Sequence, residues 1–479
     1  MKKQGVNPYL PSWEYVPDGE PYIFGDRVYV YGSHDRFRGY AYCLNDYVCW
    51  SAPVEDLSDW RYEGVIYKKT EDPANRDGEM CLYAPDVTQG YDGRYYLYYA
   101  LDELPVMSVA VCDTPAGEYH FYGYVHYEDG TRLGEKKGDL MQFDPGVLCE
   151  DGKVYLYSGF CSKKTRNSPY SQVIVLKEDM VTVAETPRFL IPSRHDAEGT
   201  GFEENPFFEA SSIRKIGEKY YFVYSSVYGC SLCYAVSDSP VEGFTYGGVI
   251  VSNNDTGIDS YKPAEQPMFY GGNNHGSIIC IEGQWYVFYH RHTDGTNYSR
   301  QGCIEPIEIA SNGSIGQVEM TSCGPNNGPL RGEGTYPAYI ACNLFCETVE
   351  PFTGSPGEWM DARFPKITQE GKDGDEEEGY ITNMKSGATA GFKYFDCQGV
   401  NRISIVARGR GLKGDLEVMT AWDGEVVGRI EVRASNEWKA YEAAMQIPDG
   451  VQALYFRYRG EKAVSLKSFT LYTDLFTGK

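Results

Sequence analysis

Five stretches of this 479-residue chain are versions of one another, and no other feature narrows the fold as much. They read GDRVYVYGSHD, DGRYYLYYALD, DGKVYLYSGF, GEKYYFVYSS and EGQWYVFYHRH. Each joins a tight-turn signal, Gly beside Asp or Glu, to a run that alternates aromatic and aliphatic side chains. Such a unit is a hairpin turn followed by a buried strand. Aligned on Tyr29, Tyr96, Tyr155, Tyr221 and Tyr286, the units recur at steps of 67, 59, 66 and 65 residues. A step of that length holds a four-stranded antiparallel sheet with its loops. Five such sheets cannot each bury both faces alone, so they pack radially, and the predicted fold is an all-β, five-bladed β-propeller. A long β-sandwich is the alternative; the even spacing, a signature of repeat architecture, argues against it.

The repeats stop after Arg300. A Gly/Pro/Asn-rich segment, GPNNGPLRGEGTYP, follows and reads as a linker or wrapping loop. Beyond it the runs RISIVARG, DLEVMTAWDG, VVGRIEVRAS, QALYFRYRG and SLKSFTLYT alternate with turn residues about a dozen positions apart, the pattern of a small β-sandwich of jelly-roll type. The expected domains are therefore a propeller over 1–322, a linker over 323–341 and a β-sandwich over 342–479. The acidic run QEGKDGDEEEGY, which includes Asp373 to Glu378, is expected as a solvated loop, because its like charges need water.

Charge excludes whole classes of partner. The chain has 44 Lys+Arg against 68 Asp+Glu, a net charge of −24. It repels phosphate backbones and anionic lipid, so neither nucleic acid nor a membrane surface is an expected partner. No apolar stretch follows the Lys2–Lys3 start, and no run of 18 apolar residues occurs. With 14 scattered Cys, this reads as a cytoplasmic protein with reduced thiols. One C-x-x-C, Cys230 and Cys233, lacks the second pair that a structural zinc site needs.

Three carboxylates share a register. Asp18 precedes Tyr29 by 11 residues, Asp144 precedes Tyr155 by 11, and Glu209 precedes Tyr221 by 12. Equivalent positions in radial repeats converge on the central axis, so three acids far apart in sequence are expected to meet there. Asp86, 10 residues before Tyr96, is expected near the same axis as a rim or structural carboxylate. His275, 11 before Tyr286, shares the register.

These segments, from about Asn7 to Glu305, resemble glycoside hydrolase family 43, a five-bladed propeller family. The resemblance rests on PDGEPYIFGDRVYVYGSHD, LYAPDVTQGYDGRYYLYYA, FDPGVLCEDGKVYLYSGF, FFEASSIRKIGEKYYFVYSS and NNHGSIICIEGQWYVFYHRH. It implies an inverting glycosidase acting on arabinofuranosides or xylosides. Asp18 then matches the catalytic base, Glu209 the general acid, and Asp144 the carboxylate that orients the acid and raises its pKa. The family often reads A-D-P around the base where this chain reads P-D-G-E-P, which makes Glu20 a rival. Inversion requires one protonated acid at the leaving oxygen and one ionised carboxylate holding water on the opposite face, ~6.5–9.5 Å away.

The resemblance implies that His275 lies in the central channel, where a calcium ion or a water cluster sits, and that Arg300 reaches sugar hydroxyls. For Arg300 an interblade ion pair is the alternative. Trp13, Trp50 and Phe143 are candidates for stacking on a sugar, and Asp86 for a substrate contact. The segment from about Cys342 to Tyr472 resembles a carbohydrate-binding module of family 6, with Trp422 and Trp438 as candidate platforms. The expectation is a cytoplasmic, inverting exo-glycosidase that releases L-arabinofuranose and/or D-xylose from plant-derived oligosaccharides. The rival readings are a β-D-galactofuranosidase on the same machinery and a sugar-binding protein without turnover. No cofactor is required for hydrolysis; a structural calcium belongs in the propeller channel or in the sandwich domain. The oligosaccharide is the one partner, and the sequence sets no oligomeric state.

Overall fold

A computed structural model describes residues 4–161, 170–347 and 364–473; the outer ends of the two expected domains, 1–3 and 474–479, lie outside it, as does 348–363. Five antiparallel sheets follow one another along the chain. Blade 1 uses Glu20–Phe24, Arg27–Tyr31, Tyr47–Pro53 and Arg61–Tyr67. Blade 2 uses Asp86–Gln89, Tyr95–Ala100, Met107–Cys112 and His120–Tyr124. Blade 3 uses Gly146–Glu150, Lys153–Ser158, Tyr170–Leu176 and Arg188–Pro192. Blade 4 uses Phe207–Ile216, Lys219–Ser226, Ser231–Ser237 and Thr245–Ser252. Blade 5 has three strands, Ser277–Ile281, Gln284–His292 and Arg300–Ile307.

All five aligned tyrosines fall on the second strand of their blade. The turn signals fold as the chemistry demands. Between Glu150 and Lys153, Asp151 and Gly152 both take positive φ (49° and 74°), and Glu282 and Gly283 do the same (50° and 83°) between Ile281 and Gln284. Two left-handed residues give the turn whose twist matches the strands it joins.

Each interblade seam has its own core. Tyr31 and Tyr47 meet Leu97 and Tyr99 between blades 1 and 2. Tyr98 and Val109 meet Leu156 and Ile174 between 2 and 3, and Tyr157 meets Phe222 between 3 and 4. Val223 meets Val287 between 4 and 5, and Phe288 and Ile304 meet Val28 and Val30 between 5 and 1. Burial on both faces is what the unbroken apolar runs require. The ring closes through the segment before blade 1. Asn7 Nδ2 donates to Ile304 O (3.0 Å), Ile304 N donates to Asn7 Oδ1 (2.9 Å), and Tyr9 N donates to Gly302 O (3.3 Å). The Asn7 side chain thus takes the place of a strand partner on blade 5.

The C-terminal unit is one curled sheet of ten strands. Its long strand Arg402–Met419 pairs over 402–408 with Val464–Tyr472 and over 414–419 with Gly450–Gly460. One strand therefore serves both sides of the sandwich-like fold, and two of the expected runs are halves of a single element. The segment over 323–341 is more than a linker. Leu330–Arg331 pairs with Ala388–Cys397 and Gly334–Pro337 pairs with Val464–Tyr472, so it contributes two strands to the second unit.

The two units share a polar, buried seam. Arg291, 1% exposed, donates to Ala341 O (2.9 Å) and Tyr339 O (2.7 Å). Lys393, fully buried, pairs with Asp255 (3.1 Å) and Glu319 (3.5 Å) and donates to Tyr261 Oη (2.9 Å). Buried charges persist only when paired and hydrogen-bonded, so these contacts fix the units against each other. Trp422, a candidate sugar platform, lies in this seam, its Nε1 donating to Tyr261 O (3.1 Å). Trp438 is half-buried between Arg408, 4.2 Å from its ring, and Tyr380.

Candidate active site

Asp18, Asp144, Glu209, His275, Arg300 and Phe143 line one cavity of about 440 Å³ at the propeller axis. The shared register explains this. Asp18, Asp144 and His275 each lie two residues before the innermost strand of a blade, and Glu209 lies near the start of another. The approach is tight: a Cβ at Gly276 would sit 1.8 Å from Phe288 O, so only glycine lets the chain carry His275 inward there. Asp18 (φ 60°), Asp144 (φ 44°) and Ala210 (φ 70°) hold left-handed backbone, a strain that collects at functional sites.

Asp18 is an anion held in place. Burial pushes its carboxyl up, but the Arg300 guanidinium (Nη1 to Oδ1, 2.9 Å) and His290 (Nδ1 to Oδ1, 3.1 Å) outweigh burial and hold it well below the usual carboxylate range. Arg300 is itself clasped by Asp35, which accepts from Nε (2.8 Å), Nη2 (3.0 Å) and the backbone N–H (3.1 Å). Tyr42 lies under the guanidinium, 4.9 Å from ring centre to Cζ.

Asp144 behaves in the opposite way. Burial, then the charge of Glu209, then that of Asp18, raise its carboxyl well above the usual range. Two acids that repel each other cannot both ionise cheaply, so the Asp144–Glu209 pair retains a proton. The expected like-charge coupling between Asp144 and Glu209 is thus present at the site, with Glu209 the first charge that raises Asp144. Asp144 Oδ2 also accepts from Ala210 N (3.0 Å), which fixes the backbone next to Glu209. His275, buried among these groups, lies 3.6 Å from Asp144 and 4.0 Å from Asp18, and burial lowers its pKa to about 4.

The expected substrate contact of Asp86, the rival base Glu20 and the stacking roles of Trp50 and Trp13 need correction. Asp86 does not line the cavity. It is fully buried, accepts from Tyr22 Oη (2.7 Å), Val87 N (2.7 Å) and Val147 N (2.7 Å), and ties blade 2 to its neighbours. Glu20 faces Arg214 (2.7 Å) in this network and is no rival base; burial pushes its carboxyl up to about 8. Trp50 sits on the third strand of blade 1, away from the axis, where its ring meets Tyr62 and its Nε1 donates to Glu14 (3.0 Å). It packs in the seam between blades 5 and 1 rather than against a sugar, and Trp13 is likewise absent from the cavity wall.

Sequence reasoning missed much of the wall. Tyr83, Phe160 and Phe208 were not foreseen; with the expected Phe143 they form a run of rings, Tyr83 to Phe143 to Phe160 to Phe208, with centroids 5.1, 5.2 and 5.5 Å apart. Phe208 directly precedes Glu209 and Phe160 ends a repeat motif, so the axial register could have found both. Asp35 and His290 also close repeat motifs, but nothing local marks them as partners of Arg300 and Asp18.

An ionised carboxylate and a proton-holding carboxyl pair, facing one aromatic-walled cavity, can split a bond between two sugars by acid and base catalysis. The comparisons agree. Residues 16–315 match the profile of glycosyl hydrolases family 43. A protein of Thermoclostridium stercorarium named xylosidase/arabinosidase is 65% identical over 99% of this chain and 100% of its own length. A Bacteroides ovatus protein of the same name is 29% identical over 65% of this chain and 97% of its own. A Bacillus subtilis family 43 arabinoxylan arabinofuranohydrolase, solved with cellotetraose, superposes with a TM-score of 0.51 at 21% identity, covering 98% of this chain and 97% of that one.

Proposed function

The chain belongs to glycosyl hydrolases family 43 and is a glycoside hydrolase, and from that premise we propose an inverting, exo-acting enzyme that releases L-arabinofuranose or D-xylose from plant-derived oligosaccharides. One observation carries the reading: Asp18 is held ionised while Asp144 and Glu209 together keep a proton on the same cavity. Asp18 takes the proton of a water as it attacks the anomeric carbon. Glu209 gives its proton to the departing oxygen. Asp144 aligns Glu209 through Ala210 N and favours the protonated pair. The aromatic run supplies apolar faces for sugar rings. The names of the relatives support arabinose and xylose as the released sugars.

Hydrolysis by this route requires no cofactor. For the channel we propose a calcium ion with a structural role. His275 Nε2 is buried without a hydrogen-bond partner and would be its side-chain ligand. Among the described residues no three His, Cys, Asp or Glu gather as a metal cluster, so water would supply the remaining oxygens. For the C-terminal unit, whose sequence resembles a family 6 carbohydrate-binding module, the buried seam supports a structural role. The cytoplasm is the proposed compartment, supported by 14 free cysteines.

The test is hydrolysis of 4-nitrophenyl α-L-arabinofuranoside, β-D-xylopyranoside and β-D-galactofuranoside by wild type, Glu209→Gln and Asp18→Asn, with the first-formed anomer read by NMR. Turnover of an arabinoside or xyloside that collapses in both variants, with inverted product, is expected. Retained product, or activity surviving in both variants, refutes the assignment.

A further inference from the structure

The loop joining the second and third strands of blade 1 carries Asp35, which clasps Arg300, and Tyr42, on which the guanidinium lies. It is a strained loop. Arg38 (φ 55°) and Cys43 (φ 56°) are both left-handed without being glycine, a conformation that persists only where neighbours over-determine it. Much of that determination comes from the other unit. Asp373 Oδ1 accepts from Phe37 N (2.7 Å) and Oδ2 accepts from Asn45 Nδ2 (3.0 Å). Asn45 Nδ2 donates also to Asp35 O (3.1 Å), and Asn45 N donates to His34 O (3.0 Å). Nearby, Gln369 accepts from Tyr15 Oη (2.7 Å), whose own carbonyl accepts from Asp35 N (2.9 Å) and whose ring stacks on Phe37. Both backbone polar groups of Asp35 are thus one residue away from a contact with the second unit.

We infer that Asp373, in the acidic loop of the C-terminal unit, is a positioning residue for catalysis: it pins the blade 1 loop at Phe37 and Asn45, which flank Tyr42 and, through Asn45, hold the Asp35 carbonyl, and so sets Arg300 against Asp18. The inference rests on the proposed glycosidase reading for its kinetic consequence, but not for its structural one. The second unit is then a working part of the site rather than an appended module. Charge alone does not account for this. Asp375 and Glu376 to Glu378 share the loop, yet of these acids only Asp373 bonds the blade 1 loop among the described contacts; the one other bond to it from this unit is that of Thr368 Oγ1, which accepts from Arg38 Nη2 (3.5 Å).

The test compares full-length wild type, Asp373→Ala, Asp373→Asn and the loop control Glu377→Gln. Hydrogen exchange read by mass spectrometry over 34–45 is independent of any substrate. It should quicken in Asp373→Ala and stay at the wild-type rate in Glu377→Gln. On the glycoside that wild type hydrolyses, Asp373→Ala should lose about ten- to a hundredfold in kcat/KM, mostly in kcat, since a displacement of an ångström in the reacting groups costs that much. Asp373→Asn keeps one acceptor and should recover part of the loss. Added to Asp35→Asn, the alanine change should cost little more, which a purely structural role would not produce. Unchanged exchange over 34–45, or quickened exchange with wild-type kcat/KM, overturns the inference. A wild type inactive on every glycoside sinks the glycosidase reading instead, and the exchange measurement still decides whether Asp373 holds the loop.

Discussion

Removing the charge of Arg300 while keeping an unbranched stem, Arg300→Met, separates two roles for that residue. In the structure its Nη1 lies 2.9 Å from Asp18 Oδ1, and its Nε and Nη2 serve Asp35. With charge centres about 4 Å apart and an effective dielectric near 20, the attraction on Asp18 is about 4 kcal/mol, or roughly 3 pH units. His290 stays at 3.1 Å and gives some of this back, but burial is then opposed by less charge and the pKa of Asp18 rises. The sign follows from the role. A base works only when ionised, so raising its pKa moves the acid limb of kcat/KM upward and spares the alkaline side. The assay is kcat/KM from pH 3.5 to 8 on the glycoside that wild type hydrolyses, beside Arg300→Lys, which keeps the charge and loses the fork. The methionine variant should lose kcat/KM toward the acid end of that range, where wild type and the lysine variant keep theirs. A melting curve accompanies it, since two buried carboxylates lose their partner at a cost of about 3–5 kcal/mol. Equal loss at every pH with an unmoved limb would refute the reasoning and return Arg300 to the sugar-contact role.

Two other outcomes are expected. Lys393→Met leaves Asp255 buried without its ion-pair partner, and denaturant unfolding should show a loss of about 3–5 kcal/mol with both units melting together; a loss below about 1 kcal/mol would show that the seam does not couple them. Glu20, raised to about 8 in the fold, contributes stability that is full below its ordinary pKa near 4.5 and is lost as pH rises through 8; Glu20→Gln should therefore flatten the fall in Tm between pH 5 and 8, and an equally steep fall in the variant would place that titration elsewhere.

The repeat register carried the fold and the centre of the site because both depend on local chemistry. A Gly-Asp turn and an alternating run make a strand wherever they occur, and equal offsets from equal strands lead to one axis. That is why Asp18, Asp144, Glu209 and His275 could be placed together from spacing alone. The same logic left a rim and a structural role open for Asp86, and the fold takes the structural one, turning its carboxylate to Tyr22 and to backbone donors between blades. It had no purchase on Trp50, whose third-strand position points it into a seam. The expected linker became strands because edges in the C-terminal sheet offered partners that only the folded chain presents.

What the sequence determined by itself, then, is the repeating strand grammar, its closure into five blades and the acids at the axis. The tertiary structure decided which acid is charged. Asp18 ionises because Arg300, 282 residues away, reaches it, and the Asp144–Glu209 pair keeps a proton because burial and mutual repulsion oppose a second charge. It also decided that Asp373, in a run expected to face water, reaches across to blade 1. Protonation and long-range pinning depend on distances of a few ångströms between residues hundreds of positions apart, and no local pattern in a chain encodes those.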